Sequence, residues 1–428
     1  MMRYTWFLYF LFCSSHAMCQ SGTWTWMYGD SLPGNSDKDL HSFYDKGHFS
    51  DSIIVPKLYG SCSWSSGKDL YLFGGEYLDE SFGYPLAVNA MWKYNIDTNK
   101  WAWIGGTGLF DYDDNIYGTQ GIPDSNNFPG LRVNSAYWTD LDGNFWLFGG
   151  LGWGGQENDL WKYDVSTGWW TWMKGPNVAQ QPGHYGVKGV PDSANEPRYR
   201  DNSECWTDPF GNLWLFGGYR QTFADLYLND LWKYNIATNE WTWMTGDTIS
   251  YPPGVYGTLG IFDSVNTPGG RMCSRMHWTD TLGNLYLFGG YGVSPIFGFY
   301  QDFWKYNISL NQWAWMGGEQ TTMDPGSYNS YCLNNSYPSS RVEATGWIDK
   351  QGNCWMIGGR TIFSNPAFAG STNDLWKYDP YHNEWYWIDG NNYWNSEGVY
   401  GTKGIPDVSN EIRSRMGPVS WVDSMNNF

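Results

Sequence analysis

The stretch Met91-Trp92-Lys93-Tyr94-Asn95-Ile96-Asp97-Thr98-Asn99-Lys100-Trp101-Ala102-Trp103 decides the fold of this 428-residue chain. Trp92 and Tyr94 fall on one side of an extended segment and Met91 and Lys93 on the other, the period of two that marks a β-strand. The polar run Asn95–Lys100 then turns the chain into a second strand carrying the pair Trp101/Trp103. The same pattern returns at Leu160–Asp164 with Trp170/Trp172, and again at Trp241/Trp243, Trp313/Trp315 and Trp385/Trp387. An isolated pair, Trp24/Trp26, precedes them all. The first members of successive pairs lie 77, 69, 71, 72 and 72 residues apart, so one structural unit is copied along the chain.

Each full unit contains two further segments. One ends at a tryptophan (Trp64, Trp138, Trp206, Trp278, Trp347, with Trp421 at the C-terminal end), and the next ends in a glycine pair, as in Phe145–Gly150. A unit therefore reads as four short strands. The first two are joined by tight turns such as Thr139-Asp140-Leu141-Asp142-Gly143-Asn144, and the last two by turns of unchanging length. The second-to-third connections vary from 10 to 16 residues, and the connections between units are longer still. In an up-and-down sheet alternate connections share an end. All long loops are therefore expected on one face, the place where binding residues usually sit.

Composition agrees with an all-β body. Fifty-three Gly and 20 Pro favour turns, and 30 Trp, 32 Tyr and 22 Phe supply the apolar area for a core. The formal charge of −18 argues against nucleic acid and anionic membrane surfaces as partners. Residues 1–19 read as a secretory signal peptide: Arg3, a short apolar run from Trp6 to Phe12, then small residues at Ser15 and Ala17. The remaining 20–428 read as one domain that is secreted or displayed at the cell surface. Cys62, Cys205, Cys273, Cys332 and Cys354 share no repeat position and are expected mainly as buried thiols. Asn307 and Asn334 fit glycosylation acceptors.

The glycine pair, followed by a Tyr seven residues before a Trp (Tyr94/Trp101, Tyr163/Trp170, Tyr234/Trp241, Tyr306/Trp313, Tyr378/Trp385), resembles the kelch repeat. The resemblance covers nearly all of 20–428 and implies a β-propeller of four-stranded blades. These units are larger than kelch units of about 50 residues, and the surplus is expected to decorate the loop face. Trp24–Met27 reads as a lone fourth strand and Arg415–Val422 as a lone first strand, together halves of a sixth blade. The step of eight residues from the first-strand Trp to the second-strand aromatic would carry Trp421 past Phe428. The chain is therefore read as a fragment of a longer protein.

Two groups of residues stand out as ligand-binding candidates. Arg132, Arg200, Arg271, Arg341 and Arg415 recur at the start of the first strand, where they would ring the channel mouth and suit carboxylates on acidic peptides or sugars. Asp124, Asp192, Asp263 and Asp407 lie eight residues before four of them and are expected to be their partners. Arg341 has Leu333 at that position and is expected to be the unpaired exception. The second group is the irregular loop aromatics Tyr84, Tyr112, Trp153, Tyr393 and Trp394, which either stack on a ligand or pack the loops together. The sequence is thus read as a non-catalytic binding scaffold for a protein partner, with a glycan as the alternative ligand. A galactose oxidase-like copper enzyme is third, since His41, His48, His184, His277 and His382 share no metal-ligand spacing. No cofactor or metal is expected. Asp140–Asn144 is expected to be a turn and not a calcium loop, because its copies lose the second carboxylate.

Overall fold

The computed structural model describes residues 22–29, 46–53, 55–79, 84–107, 115–221, 226–249, 251–273, 276–293, 296–329, 331–333, 336–362, 369–423 and 427–428. The expected signal peptide, Tyr112, His41 and Asn334 lie outside the described residues. Five antiparallel sheets of four strands follow one another along the chain. The first comprises Cys62–Ser66, Asp69–Phe73, Met91–Asn95 and Lys100–Gly105. The second comprises Ala136–Thr139, Phe145–Gly152, Gly155–Asp164 and Trp169–Lys174. The third comprises Glu204–Thr207, Leu213–Arg220, Leu226–Asn235 and Glu240–Thr245. The fourth comprises His277–Thr279, Leu285–Phe288, Phe303–Asn307 and Gln312–Gly317. The fifth comprises Thr345–Ile348, Cys354–Ile357, Leu375–Asp379 and Glu384–Asp389. The first strands of successive sheets lie side by side, so the sheets are radial blades around an axis, as in a β-propeller.

Each conserved spacing within the unit has a physical cause. In the first-to-second turns, Asp140, Asp208, Asp280 and Asp349 each accept two backbone N–H groups, two and four residues on, at 2.8–3.0 Å. The other carboxylate oxygen takes the Asn side chain and then the second-strand aromatic: Trp146, Trp214 and Trp355 at 2.8 Å, Tyr286 at 3.2 Å. The recurring Asp–Asn–aromatic spacing is thus one closed hydrogen-bond set, which leaves the buried indoles satisfied. In the third-to-fourth turns the Tyr hydroxyl donates to an Asn held at positive φ (Asn99, Asn239, Asn311, Asn383), and the second unit uses Gly168 there instead. The Tyr ring sits opposite the Trp seven residues on, with centroids 5.0–5.1 Å apart in all five copies.

The two tryptophans of a pair do different work. Trp170, Trp241 and Trp313 are fully buried between sheets, where truncation to alanine costs on the order of 3–5 kcal/mol. The second member, at Trp103, Trp172, Trp243, Trp315 and Trp387, donates its indole N–H to the carbonyl two residues on, across a bulge repeated in every unit. Trp26 makes the same bond to Tyr28 at 2.8 Å.

The glycine pair joins neighbouring blades. Gly75, Gly150, Gly290 and Gly359 donate their N–H groups to the carbonyls of Arg132, Arg200, Arg341 and Arg415 in the following unit, at 2.7–3.0 Å. Both glycines of each pair have positive φ, between 61° and 103°. A Cβ on the first glycine would lie 2.4–2.9 Å from the arginine carbonyl of the next unit, and one on Gly75, Gly150, Gly218 or Gly359 2.2–2.7 Å from a serine hydroxyl or carbonyl of its own unit. Only glycine combines that backbone with that approach.

The enlarged connection between units does not simply decorate the loop face, as the sequence suggested. It runs along the outer strand of its own blade. Gly121, Gly189, Gly260 and Gly404 donate to the carbonyls of Trp172, Trp243, Trp315 and Trp26, and Asp124, Asp192, Asp263 and Asp407 bridge to the first tryptophan of the same pair. Gly47 and Ser50 do the same for Trp103 and Trp101. Buried Asn127, Asn195, Asn266 and Asn410 lock these segments in place through bonds to the same strand. The connection covers the unpaired outer edge that would otherwise template aggregation.

The ends of the described chain converge. Trp24 bridges Asp407, and its indole reaches Asp389 in the fifth blade at 3.1 Å. Ile412 and Val422 pack on the fifth blade, and Val419 and Trp421 pack on the first. The C-terminal segment therefore sits between these two blades. Its turn repeats the others: Asp423 accepts from the backbone and side chain of Asn427, both at 2.8 Å.

Candidate functional site: a crown of hairpins above buried arginine–aspartate pairs

The second-to-third connections are β-hairpins, and they rise from one face of the blades. Glu76–Asp79 pairs with Tyr84–Ala87, and the second blade's inner pair extends to Gly152↔Gly155. Tyr291–Val293 pairs with Phe297–Phe299, and Arg360–Ile362 with Ala369–Ser371. Three of these hairpins expose an aromatic at the tip: Tyr84 at 55%, Trp153 at 61% and Phe297 at 50%. Sequence reading singled out Tyr84 and Trp153 but missed Phe297, which sits in an unremarkable Pro-Ile-Phe-Gly run. Phe297 also contacts Tyr227, Tyr251 and Tyr291, forming a continuous aromatic patch with the neighbouring connection.

The connections between units brace these hairpins. Gln180, Met323 and Asn395, all at positive φ, donate backbone N–H groups to Gln156, Phe299 and Ser371 at 2.7–2.9 Å. Trp394 belongs to this bracing, because its side chain lies against Gly370, where an added Cβ would come within 2.6 Å of Trp394 Cβ and 2.7 Å of its ring. Tyr393 beside it is exposed. The loop aromatics therefore divide into tips that face solvent and one, Trp394, that packs loop against loop.

The arginines are not a ring of free charges at the channel mouth. Arg200, Arg271 and Arg341 are buried and each forms a two-point pair with an aspartate of its own blade, Asp230 on the third strand and Asp302 and Asp374 one residue before it. The distances are 2.7 and 2.7 Å to Asp230, 2.6 and 2.8 Å to Asp302, and 2.9 and 2.6 Å to Asp374. Arg132 donates to Asp159 at 2.5 Å. The other bonds of Arg200 and Arg271 go to backbone carbonyls, including the first Gly of the pair at 2.9 Å, and Arg341 adds to its Gly358 carbonyl bond at 3.0 Å donations to the Tyr328 and Ser339 hydroxyls at 3.1 and 3.0 Å. Each aspartate also accepts a tyrosine hydroxyl from the covering connection (Tyr117, Tyr185, Tyr256, Tyr328) and the indole two residues on.

Two expectations are thereby corrected. Asp124, Asp192, Asp263 and Asp407 do not pair with the arginines. Their carboxylates instead close their own turns onto Asn126, Ala194, Val265 and Ser409 at 2.8–3.0 Å. Arg341 is not an unpaired exception, since Asp374 holds it like its counterparts. Burial works against both charges, but Asp374 and Tyr328 outweigh it and hold the Arg341 guanidinium above its ordinary value. Burial likewise raises Asp374, and Arg341 more than reverses this.

The first blade shows what the pair requires. It carries Leu58 where the others carry Arg, and Ala90 where they carry Asp, and both belong to one apolar cluster. Both charges have been lost together, as expected if either alone would be left buried and unpaired. Arg415 is the other departure. Its Nε donates to the carbonyl of Arg413 at 3.1 Å, and no carboxylate lies within ion-pair reach among the described residues.

The second blade adds a second carboxylate, Glu157, 3.6 Å from Arg132. Burial pushes its carboxyl up to about 7, against the pull of Arg132, and its Oε2 has no hydrogen-bond partner. The folded protein therefore binds more protons than the unfolded chain between pH 4.5 and about 7, and stability falls as pH rises through that window. Glu157→Gln is expected to be roughly 2–3 kcal/mol more stable than wild type at pH 8, with the gap closing by pH 4. Urea denaturation at the two pH values measures this, and a pH-independent difference would refute the assignment.

Cys62, Cys205, Cys273 and Cys354 are buried. Among the described residues, no three His, Cys, Asp or Glu side chains converge as a metal-binding group.

The radial four-stranded sheets, the glycine pairs and the Tyr–Trp register make the chain a kelch-type β-propeller. Among curated proteins it is similar to Kelch domain-containing protein 10 of Homo sapiens and of Bos taurus, at 25% identity over 292 residues, covering 58% of this chain and 58% of each relative. The Xenopus tropicalis protein of the same name is 26% identical over 292 residues, covering 58% of this chain and 62% of the relative. The chain thus spans about three fifths of the length of these curated relatives. No family model matches the chain.

Proposed function

We propose that the chain is a non-catalytic protein-interaction scaffold, secreted or displayed at the cell surface, that engages its partner through the crown of hairpins. The observation that carries this reading is the contrast between the two faces. Among the described residues one face carries the tight first-to-second and third-to-fourth turns, whereas the other presents Tyr84, Trp153 and Phe297 on hairpins of differing length. Exposed aromatics on a rigid frame supply contact area at low entropic cost, the pattern of interface anchors. The relatives bearing the kelch name support a scaffold of this kind, and the signal-like residues 1–19 support export. The buried arginines are frame elements in this reading, and Arg415 alone keeps a role in ligand contact.

The test compares wild type with Trp153→Ala and Phe297→Ala in affinity capture followed by mass spectrometry. A partner retained by wild type and reduced at least tenfold by either variant, with unchanged melting temperature, is the expected result. Equal capture by all three proteins refutes the crown as the interface. A glycan array probes the alternative, since saturable glycan binding lost in Trp153→Ala would favour a carbohydrate ligand.

A further inference from the structure

The second blade carries one carboxylate more than its counterparts. Glu157 lies two residues before Asp159, where the other units have Val88, Leu228, Tyr300 and Thr372. Its side chain is 4% exposed and shares a site with Arg132 and Asp159, at 1% and 0%. Two carboxylates thus face one guanidinium, and the arginine leaves the arrangement kept elsewhere. Arg200, Arg271 and Arg341 give Nε to the carbonyl two residues before them and Nη1 to the first glycine of the pair. Arg132 instead turns Nη1 toward Glu157 Oε1, 3.6 Å away, and toward the Leu131 carbonyl at 3.4 Å. Arg132 Nε, Asp159 Oδ1 and Glu157 Oε2 are left buried without a hydrogen bond. A bare acceptor in such a site is costly, and a surplus negative charge more so.

Arg132 reaches Glu157 from the segment leading into the inner strand, and Asp159 lies on its own strand. From the covering connection, Asn115 Nδ2 donates to Glu157 Oε1 at 3.3 Å and to the Tyr117 hydroxyl, which donates to Asp159. From the third blade, the Arg200 backbone N–H meets the Glu157 carbonyl at 3.2 Å, while its guanidinium is held by Asp230. Gln156, next along the strand, donates to Asp201 at 2.9 Å and so anchors this strand to the third blade. The thinner cover is the opposite strand. A Cβ on Gly152 would lie 2.7 Å from Arg132 Nη1 and 3.0 Å from Glu157 Oε1, so its backbone roofs the cluster. Gly149, Gly150 and Gly155 on either side hold positive φ. Trp153 stands at the tip, 61% exposed.

We propose that residues 149–155 form a proton-controlled lid, closed over a protonated Glu157 and opened when that carboxyl ionises. A proton removes the surplus charge, leaves Arg132 to Asp159 and gives Glu157 a donor. Ionisation reverses all three, and the lid lifts so that water reaches the carboxylate. Burial pushes the Glu157 carboxyl up to about 7, against the pull of Arg132. A closed state that holds its proton up to about 7, against 4.5 when open, loses about tenfold in its closing equilibrium between pH 6 and pH 8. Because the lid carries Trp153, partner capture weakens over the same range. That consequence rests on the crown reading, whereas the opening of the lid does not.

Hydrogen–deuterium exchange of the full chain, corrected for the intrinsic pH dependence of amide exchange, tests the lid. Its reporters are the Gly150 and Leu151 amides, bonded to the Arg200 and Val133 carbonyls at 2.9 and 2.8 Å. The Gly290 amide of the fourth blade, bonded to the Arg341 carbonyl at 2.9 Å, is the internal reference, since Tyr300 stands there in place of the glutamate. Protection of the lid amides is expected to fall about tenfold from pH 6 to pH 8 with the reference unchanged. Glu157→Gln, and Glu157→Leu after the third blade's Leu228, are expected to abolish the fall and keep the lid closed at pH 8. The wild-type comparison decides the matter alone if either variant misfolds. Lid protection independent of pH, a fall shared by the reference, or the same fall in Glu157→Gln overturns the proposal.

Discussion

Arg341→Ala is expected to destabilise the protein by about 3–5 kcal/mol, because it strands the Asp374 carboxylate in a fully buried site. Asp374 would keep only the Tyr328 hydroxyl and the Trp376 indole as donors, neither of them charged. The informative companion is the double variant Arg341→Leu/Asp374→Ala, which copies the Leu58 and Ala90 of the first blade. It removes both charges and should recover at least about 2 kcal/mol relative to Arg341→Ala, since the uncompensated charge is the larger part of the cost. Urea denaturation with a common slope measures both variants. A double variant as unstable as the single would show that the pair is not the energetic unit. The Arg341 guanidinium has no solvent-facing surface in the folded protein.

Gly218→Ala should cost about 3 kcal/mol, well above the effect of the same change at Gly143. Gly218 has φ near 101°, and its added Cβ would lie 2.3 Å from Ser203 Oγ and 2.7 Å from the Asp201 carbonyl. Backbone strain and a displaced carbonyl therefore add. Gly143 also has positive φ, 82°, but nothing lies within 4 Å of its Cβ position. Its substitution carries only the conformational penalty, about 1 kcal/mol. Melting temperatures of the two variants separate the terms. Equal losses would mean that the close approach at the glycine pair contributes nothing.

Much of the fold was legible in the residues. Strand periodicity, the Asp–Asn turns and the Tyr-to-Trp spacing are local, and local geometry is written in short windows. The glycine pairs were legible as landmarks, yet their cause was not, because it lies in the arginine carbonyl of the next unit. The covering role of the Tyr117–Asp124 segment was also hidden, since it depends on bonds to a strand about 50 residues away. Within the candidate site, Tyr84 and Trp153 stood out as breaks in a pattern. Phe297 did not, because its exposure depends on where a hairpin turns.

The pairing of the arginines marks the boundary most clearly. Sequence proximity favoured the aspartates eight residues upstream, but those carboxylates are consumed by their own exposed turns. The partners lie on or one residue before the third strands, 27 to 33 residues downstream, brought alongside by the folding of the sheet. A signal was available in the joint loss of Arg and Asp from the first blade, visible only once the aligned position at Ala90 is considered. By itself the sequence determined the repeat, the four strands and the invariant turns, because these rest on local spacing and backbone chemistry. The tertiary structure alone decided which charges meet, which loops cover an edge and which aromatics face solvent. Burial makes an unpaired charge costly, and burial is a property of the assembled sheets.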